Sequence, residues 1–127
     1  MRVLILGGTG MLGHALWKRF SPRFHDTFVT IRRTRREYEG FGLFNSDNVI
    51  DSVDVNDFTV LADIMRCVRP NVILNCIGIT KRHKEAEVGV ETISLNALFP
   101  HKLVEWGRSN SAKVINFSTD CVFDGAG

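Results

Sequence analysis

A glycine-rich loop constrains this chain of 127 residues more than any other feature of its sequence. The loop reads Gly7-Gly8-Thr9-Gly10-Met11-Leu12-Gly13 and directly follows the apolar run 3–6, which is typical of a strand buried on both faces. Beyond it, apolar residues recur at the spacing of one helix face, and they are Leu12, Ala15, Leu16 and Phe20. A strand, a glycine loop and a helix in this order predict the start of a β-α-β unit.

Four further strands are predicted from short runs of apolar and β-branched residues, at 27–31, 48–53, 72–77 and 113–118. The polar stretch 32–48 is rich in arginine and shows little helical periodicity, so it is predicted to be mainly a loop.

Two more helices are predicted between these strands. Asn56 or Asp57 can cap the first, whose apolar face is Phe58, Leu61, Ala62, Met65 and Val68. The second is predicted over about 86–106, with a kink or break at Pro100. Parallel strands joined by such crossovers predict an α/β fold of Rossmann type, a doubly wound parallel sheet of strand order 3-2-1-4-5. Its ligand is expected at the carboxyl ends of the strands.

Composition narrows the class of protein. The length fits one domain over 1–127, and a net charge of +2 argues against a dedicated nucleic-acid or membrane-surface protein. The cysteines are Cys67, Cys76 and Cys121, and none form a Cys-x-x-Cys pair, so we expect no disulfide framework, no metal site and a cytoplasmic location.

The glycine loop points to a dinucleotide. Gly7, Gly10 and Gly13 fit the spacing G-x-x-G-x-x-G, and Gly8 also starts G-x-G-x-x-G. The first glycine permits the turn, the middle one lets a pyrophosphate approach the backbone, and the last allows close helix–strand packing. A glycine-rich turn without a ligand is the alternative, and the strand–loop–helix context favours dinucleotide binding.

Arginines at the end of the second strand favour NADPH over NADH, although NADH stays possible. An NAD site places Asp or Glu about 20 residues past the glycines, whereas this chain has Arg32-Arg33-Thr34-Arg35-Arg36. We expect Arg32 and Arg33 to bind the 2′-phosphate, while Arg35 and Arg36 are as well explained by a solvated loop. Asp54 and the adjoining Val55 are assigned to the adenine or ribose.

The ends of the fourth and fifth strands supply the rest of the predicted site. Asn75-Cys76-Ile77-Gly78-Ile79-Thr80 follows one strand, and Ser118-Thr119-Asp120-Cys121-Val122-Phe123-Asp124-Gly125 follows the other. Both must lie at the same sheet edge as the glycine loop. The residues assigned here to the cofactor are Cys76, Ile77, Gly78, Thr80 and Ser118.

A resemblance to a known family rests on these two segments, on the glycine loop and on residues 96–101. Together they resemble the dTDP-4-dehydrorhamnose reductase family of the extended short-chain dehydrogenase/reductases. The resemblance implies hydride transfer from NAD(P)H to a keto group of a nucleotide-linked sugar. It assigns Thr119 as the hydroxyl that bonds the substrate oxygen, and Asn96 as the organiser of a proton relay. No nucleic acid or membrane partner is expected.

The family's Tyr-x-x-x-Lys pair has no match in this sequence. Its place lies beyond Gly127, and Tyr38 is followed at the fourth position by Gly42. We therefore expect a fragment of a longer protein, inactive alone and prone to form homo-oligomers through its last strand. A non-catalytic nucleotide-binding regulatory subunit, such as that of methionine adenosyltransferase, is one alternative, and a related epimerase or dehydratase is the other. The basic segment 81–84 leaves the identity of the nucleotide-linked sugar open.

Overall fold

A computed structural model describes residues 1–44, 46–77 and 97–117. Within them, five parallel strands form one sheet in the order β3-β2-β1-β4-β5, which confirms the predicted topology. The strands are β1 (Val3–Leu6), β2 (Thr27–Thr30), β3 (Val49–Ile50), β4 (Val72–Asn75) and β5 (Lys113–Asn116). Each of β2 to β5 is shorter than its predicted run.

Strand β1 is the centre of the sheet and of the core. Val3 lies opposite Thr27 of β2 and Val72 of β4, and all four β1 residues are buried. Helices cover both faces of the sheet, which explains why an uninterrupted apolar run forms this strand.

Three α-helices are described, α1 (Met11–Phe20), α2 (Phe58–Val68) and α3 (Phe99–Asn110). The Asp57 carboxylate accepts the Val60 N–H at 3.3 Å, so Asp57 caps α2 as one of the two predicted candidates. Helix α3 begins with Pro100 in its first turn and continues past the predicted end at Trp106. The earlier part of that predicted helix lies outside the described residues.

The buried face of α1 agrees only in part with the predicted one, since Leu16 and Phe20 pack against the core as predicted. Gly13 and Trp17 are buried, whereas Leu12 is 40% exposed and Ala15 is exposed. The helix turns its glycine to the sheet because only a residue without a side chain fits against the glycine loop.

Most described residues of the stretch 32–48 are loop, as predicted, but the stretch also contains a short helix that the sequence did not predict. A 3-10 helix runs over Arg35–Phe41, and Phe44 is 4% exposed in the core beside Trp17. This segment and α1 cover one face of the sheet, and α2 and α3 cover the other.

Candidate functional site

The glycine loop leaves the carboxyl end of β1 through a left-handed turn at Gly7, where φ is +86°. The end of β2 holds this turn, because Thr30 accepts two hydrogen bonds from it. The Gly7 N–H donates to Thr30 Oγ1 at 3.3 Å, and the Gly8 N–H donates to the Thr30 carbonyl at 2.8 Å. Thr30 is a residue that sequence reasoning missed, since a buried threonine in a strand carries no signal beyond β propensity.

Packing inside the protein explains three of the four loop glycines. A Cβ on Gly13 would lie inside contact distance of the Gly7 carbonyl oxygen and 2.8 Å from the Gly7 carbonyl carbon. A Cβ on Gly7 would lie 2.8 Å from Ile77 Cγ1, and one on Gly8 would collide with the Val29 side chain. These glycines are required by the close approach of α1, β2 and β4.

Gly10 is different, because the fold does not require a glycine there. Its φ of −72° and ψ of 165° suit any residue. A Cβ would meet one heavy atom within 4 Å outside its chain neighbours, the Gly7 carbonyl oxygen at 3.6 Å, which is ordinary contact. The missing side chain therefore opens the backbone of the loop to the outside of the protein.

The space beside Gly10 suits an anion. Gly10 is the N-cap residue of α1, no side chain caps the first turn, and no acidic residue lies in that turn. The first N–H groups of a helix lack partners within it and carry partial positive charge. The residues present thus fit the pyrophosphate of a dinucleotide.

Cys76 and Ile77, both assigned to the cofactor, adjoin the loop. The Cys76 N–H donates to the Leu6 carbonyl at 3.0 Å, and the Cys76 carbonyl carbon and oxygen lie 3.4 Å from where a Cβ on Gly7 would be. Burial raises the pKa of the Cys76 thiol to about 11. At neutral pH this thiol is uncharged and therefore no nucleophile, and the side chain packs against the core cluster that contains Trp17.

A pair of asparagines joins the ends of β4 and β5. Asn75 is fully buried, and its Nδ2 donates to Asn116 Oδ1 at 2.7 Å. Its Oδ1 accepts the Ile77 N–H at 3.1 Å. Neither asparagine was assigned to the site from the sequence. Their hydrogen bond nevertheless joins the ends of β4 and β5, and the predicted site residues follow the end of β5 in the sequence.

The four arginines after β2 differ in their surroundings. Arg35 already has partners within the protein. Its backbone N–H donates to Asp51 Oδ2 at 2.9 Å, and its guanidinium donates to a backbone carbonyl at 3.2 Å. Arg33 lies 3.7 Å from the Glu37 carboxylate in an exposed ion pair. Arg32 is exposed and makes no hydrogen bond or ion pair with a described residue.

Asp54 has a structural contact of its own. Its Oδ1 accepts the Asn56 N–H at 3.0 Å, and its carbonyl accepts the Asp57 N–H at 3.1 Å, which turns the chain from β3 into α2. Asp54 is exposed and Val55 is half-buried. Contact of either residue with adenine or ribose stays a prediction.

A cleft of about 240 Å³ lies between the glycine loop and residues 32–44, the arginine-bearing segment. Its lining residues are Thr9, His14, Tyr38, Leu43 and Phe44. The cleft places the start of α1 and the 3-10 helix on two sides of one concave surface.

Several predicted site residues lie outside the described part of the chain. They are Gly78, Thr80, Asn96, Ser118, Thr119 and the basic segment 81–84. Among the described residues, no three His, Cys, Asp or Glu side chains gather as metal ligands, and none of the helices has the length and apolar character needed to cross a membrane.

Comparison with known proteins gives a matching family, sequence relatives and solved structures of similar fold. The family described as the RmlD substrate binding domain matches residues 1–127. Methionine adenosyltransferase 2 subunit beta of Mus musculus is 32% identical over 126 residues, which is 98% of this chain. The chain spans only 34% of that relative's length.

Two solved structures have a similar fold. A hypothetical dTDP-4-dehydrorhamnose reductase from Sulfolobus tokodaii is 27% identical with a TM-score of 0.75, over 99% of this chain and 42% of that one. The dTDP-4-dehydrorhamnose reductase of Bacillus anthracis, in complex with NADP, has a TM-score of 0.62 at 18% identity, over 89% of this chain and 34% of that one.

Proposed function

The chain belongs to the RmlD substrate binding domain family, and from that premise we propose that residues 1–127 are the dinucleotide-binding part of an NADPH-dependent reductase. Its substrate is a nucleotide-linked keto sugar. The proposal includes a cytoplasmic location, a part in polysaccharide synthesis and the absence of turnover by residues 1–127 alone.

The observation that carries the proposal is the opening at Gly10. Gly7, Gly8 and Gly13 are explained by packing, so they support the fold whether or not a ligand binds. Gly10 has no such explanation, and it stands at a helix N-terminus free of acidic side chains. A pyrophosphate that approaches the backbone there accounts for both features.

Arg32 supports the preference for NADPH. Arg32 follows Ile31 directly. The Ile31 N–H donates to the Ile50 carbonyl and the Ile31 carbonyl accepts the Val53 N–H, so the backbone that carries the arginine is fixed. Its exposed guanidinium has no partner among the described residues. A 2′-phosphate offers such a group a bidentate, charge-assisted contact, with Arg33 available if it leaves Glu37.

Residues of this chain also act on the substrate in the proposal. The bound dinucleotide supplies the hydride. By the family resemblance, the Thr119 hydroxyl bonds the sugar's keto oxygen and Asn96 orders a proton relay, while the Tyr-Lys pair belongs to the rest of a longer protein. The Asn75–Asn116 pair holds the strand end from which Thr119 follows.

Titration of the purified chain with NADPH and NADH tests the proposal. One charged hydrogen bond corresponds to roughly tenfold to 100-fold tighter binding of NADPH. The Arg32→Ala/Arg33→Ala variant should lose that advantage and leave NADH affinity unchanged. Arg36→Ala is the matched control, because it removes an exposed charge that lies further along the chain from β2. Equal affinities in the wild-type chain would refute the NADPH preference, and no binding of either cofactor would refute the proposal.

A second candidate function is favoured by the curated relatives. They are subunits of methionine adenosyltransferase, at 30–32% identity over almost the whole chain. A nucleotide-binding subunit without catalytic activity would use the same glycine loop. Assay of the longer protein separates the two: oxidation of NADPH with a nucleotide-linked keto sugar supports the reductase, and stable co-purification with a methionine adenosyltransferase catalytic subunit supports the alternative.

A further inference from the structure

The arginine-bearing segment, residues 32–44, is fixed in place despite its polar sequence. Its start is tied to the chain after β3, since the Ser52 N–H donates to the Arg33 carbonyl at 3.1 Å and the Arg35 N–H donates to Asp51. The end of the segment must be fixed separately from its start, because the 3-10 helix that lies between them carries few apolar residues toward the core.

Trp17 fixes that end. Trp17 is 2% exposed, and its Nε1–H donates from α1 to the Leu43 carbonyl at 2.6 Å. Phe44, the next residue, packs into the same core cluster as Trp17 and meets Tyr38 edge to face at 5.5 Å between ring centres. One indole thus joins the segment to the helix.

The same helix also carries the glycine loop's third glycine. Trp17 lies one turn after Gly13, which packs against the Gly7 carbonyl. The loop and the segment are therefore both positioned relative to α1. Pyrophosphate and 2′-phosphate are held at a set spacing in one cofactor, so binding of both depends on the relative position of loop and segment.

We propose that Trp17 is a positioning residue for cofactor selection: by holding the Leu43 carbonyl, it keeps the arginine-bearing segment where a 2′-phosphate on a loop-bound dinucleotide meets it. This inference rests on the proposed NADPH site. It concerns a residue that touches no cofactor, and it separates affinity for NADPH from affinity for NADH.

The test uses Trp17→Phe, which keeps an aromatic ring and removes the donor. Trp106→Phe is the matched control, since Trp106 is half-buried on the opposite face of the sheet and its indole donates to no described residue. Trypsin first reports the segment's opening without any cofactor, because the segment contains four arginines. Loss of the hydrogen bond from Trp17 to the Leu43 carbonyl should speed cleavage within 32–36 about fivefold to tenfold in Trp17→Phe and not in the control.

Titrations of the same variants complete the test. Trp17→Phe should bind NADPH about threefold to tenfold more weakly than wild type, with NADH affinity equal to that of the control. If Trp17→Phe fails to fold, Phe44→Leu loosens the segment from its own side and should give the same two changes.

The results distinguish failure of this inference from failure of the proposed NADPH site on which it rests. A wild-type chain without preference for NADPH refutes the proposed cofactor. A wild-type preference that Trp17→Phe retains in full, or a variant whose cleavage matches that of Trp106→Phe, overturns the role of Trp17 and leaves the proposed site standing.

Discussion

Alanine at Gly10 and alanine at Gly13 should separate ligand binding from folding, although the two glycines lie in one motif. At Gly10, alanine reduces the freedom of the unfolded chain, which stabilises by about 0.4–1 kcal/mol. It also replaces a better N-cap residue, which costs a comparable amount. With ordinary contact at 3.6 Å, the net change in the free energy of unfolding should be within about 1 kcal/mol of zero.

At Gly13 the clash decides the sign. The added methyl group would meet the Gly7 carbonyl oxygen and its carbon at 2.8 Å. That carbonyl cannot move cheaply, because hydrogen bonds to Thr30 hold the turn. Overpacking costs about 1–3 kcal/mol or more, against a helix-propensity gain of about 0.5–1 kcal/mol. A net loss near 1–2 kcal/mol should lower Tm by about 4–8 °C.

Thermal unfolding by circular dichroism and calorimetric titration with NADPH measure both effects. Gly10→Ala should melt like wild type and bind at least about tenfold more weakly, a difference of ~1.4 kcal/mol. Gly40→Ala is the control, because a Cβ there meets nothing within 4 Å and Gly40 is exposed. Wild-type affinity in Gly10→Ala would refute the reasoning that the open backbone at this residue serves a ligand.

Three further results are expected. With a pKa near 11, the Cys76 thiol should react with iodoacetamide at pH 8 far more slowly than exposed Cys67, and its rate should rise as the pH approaches 11; equal rates, followed by mass spectrometry, would contradict the assigned burial. Asn75→Ala should lower the unfolding free energy by about 2 kcal/mol because two buried hydrogen bonds are lost, and Asn116→Ala should cost less since Asn116 is exposed; chemical denaturation measures both. Among the described residues β5 pairs only with β4, so the chain should self-associate in light scattering, and Ile115→Lys, at a side chain 38% exposed, should reduce it; a monodisperse wild-type monomer at tens of micromolar would count against this edge.

The sheet could be predicted from the sequence because its central strands are apolar on both faces. Val3–Leu6 and Val72–Asn75 are short apolar runs with turns beside them, and few other structures accommodate such runs in a β-α-β order. The predicted ends of the strands were less accurate than their existence, since the residues at which a strand begins and ends depend on pairing with the partner strand. The observed β3 has two residues, although the sequence favours a longer strand.

Contacts between distant residues explain what the sequence did not reveal. Residues 32–44 show no helical period, and their order comes from Trp17 and Phe44, which are far apart in sequence and packed together in the core. The buried face of α1 was predicted only in part for a related reason, since Leu16 and Phe20 pack on the core whereas Leu12 and Ala15 are exposed. A hydrophobic pattern gives Gly13 no weight, whereas the approach to the Gly7 carbonyl makes it the residue that faces the sheet.

Fold and ligand therefore place separate demands on the glycine loop. Gly7, Gly8 and Gly13 would be retained by any chain that packs a helix this closely on a parallel sheet, with or without a cofactor. Gly10 and a first helical turn without acidic side chains are what a dinucleotide additionally needs. A relative that kept the three packing glycines and replaced Gly10 by a larger residue should keep this fold and lose the cofactor, because the open backbone at Gly10 is the one loop feature that packing alone does not explain.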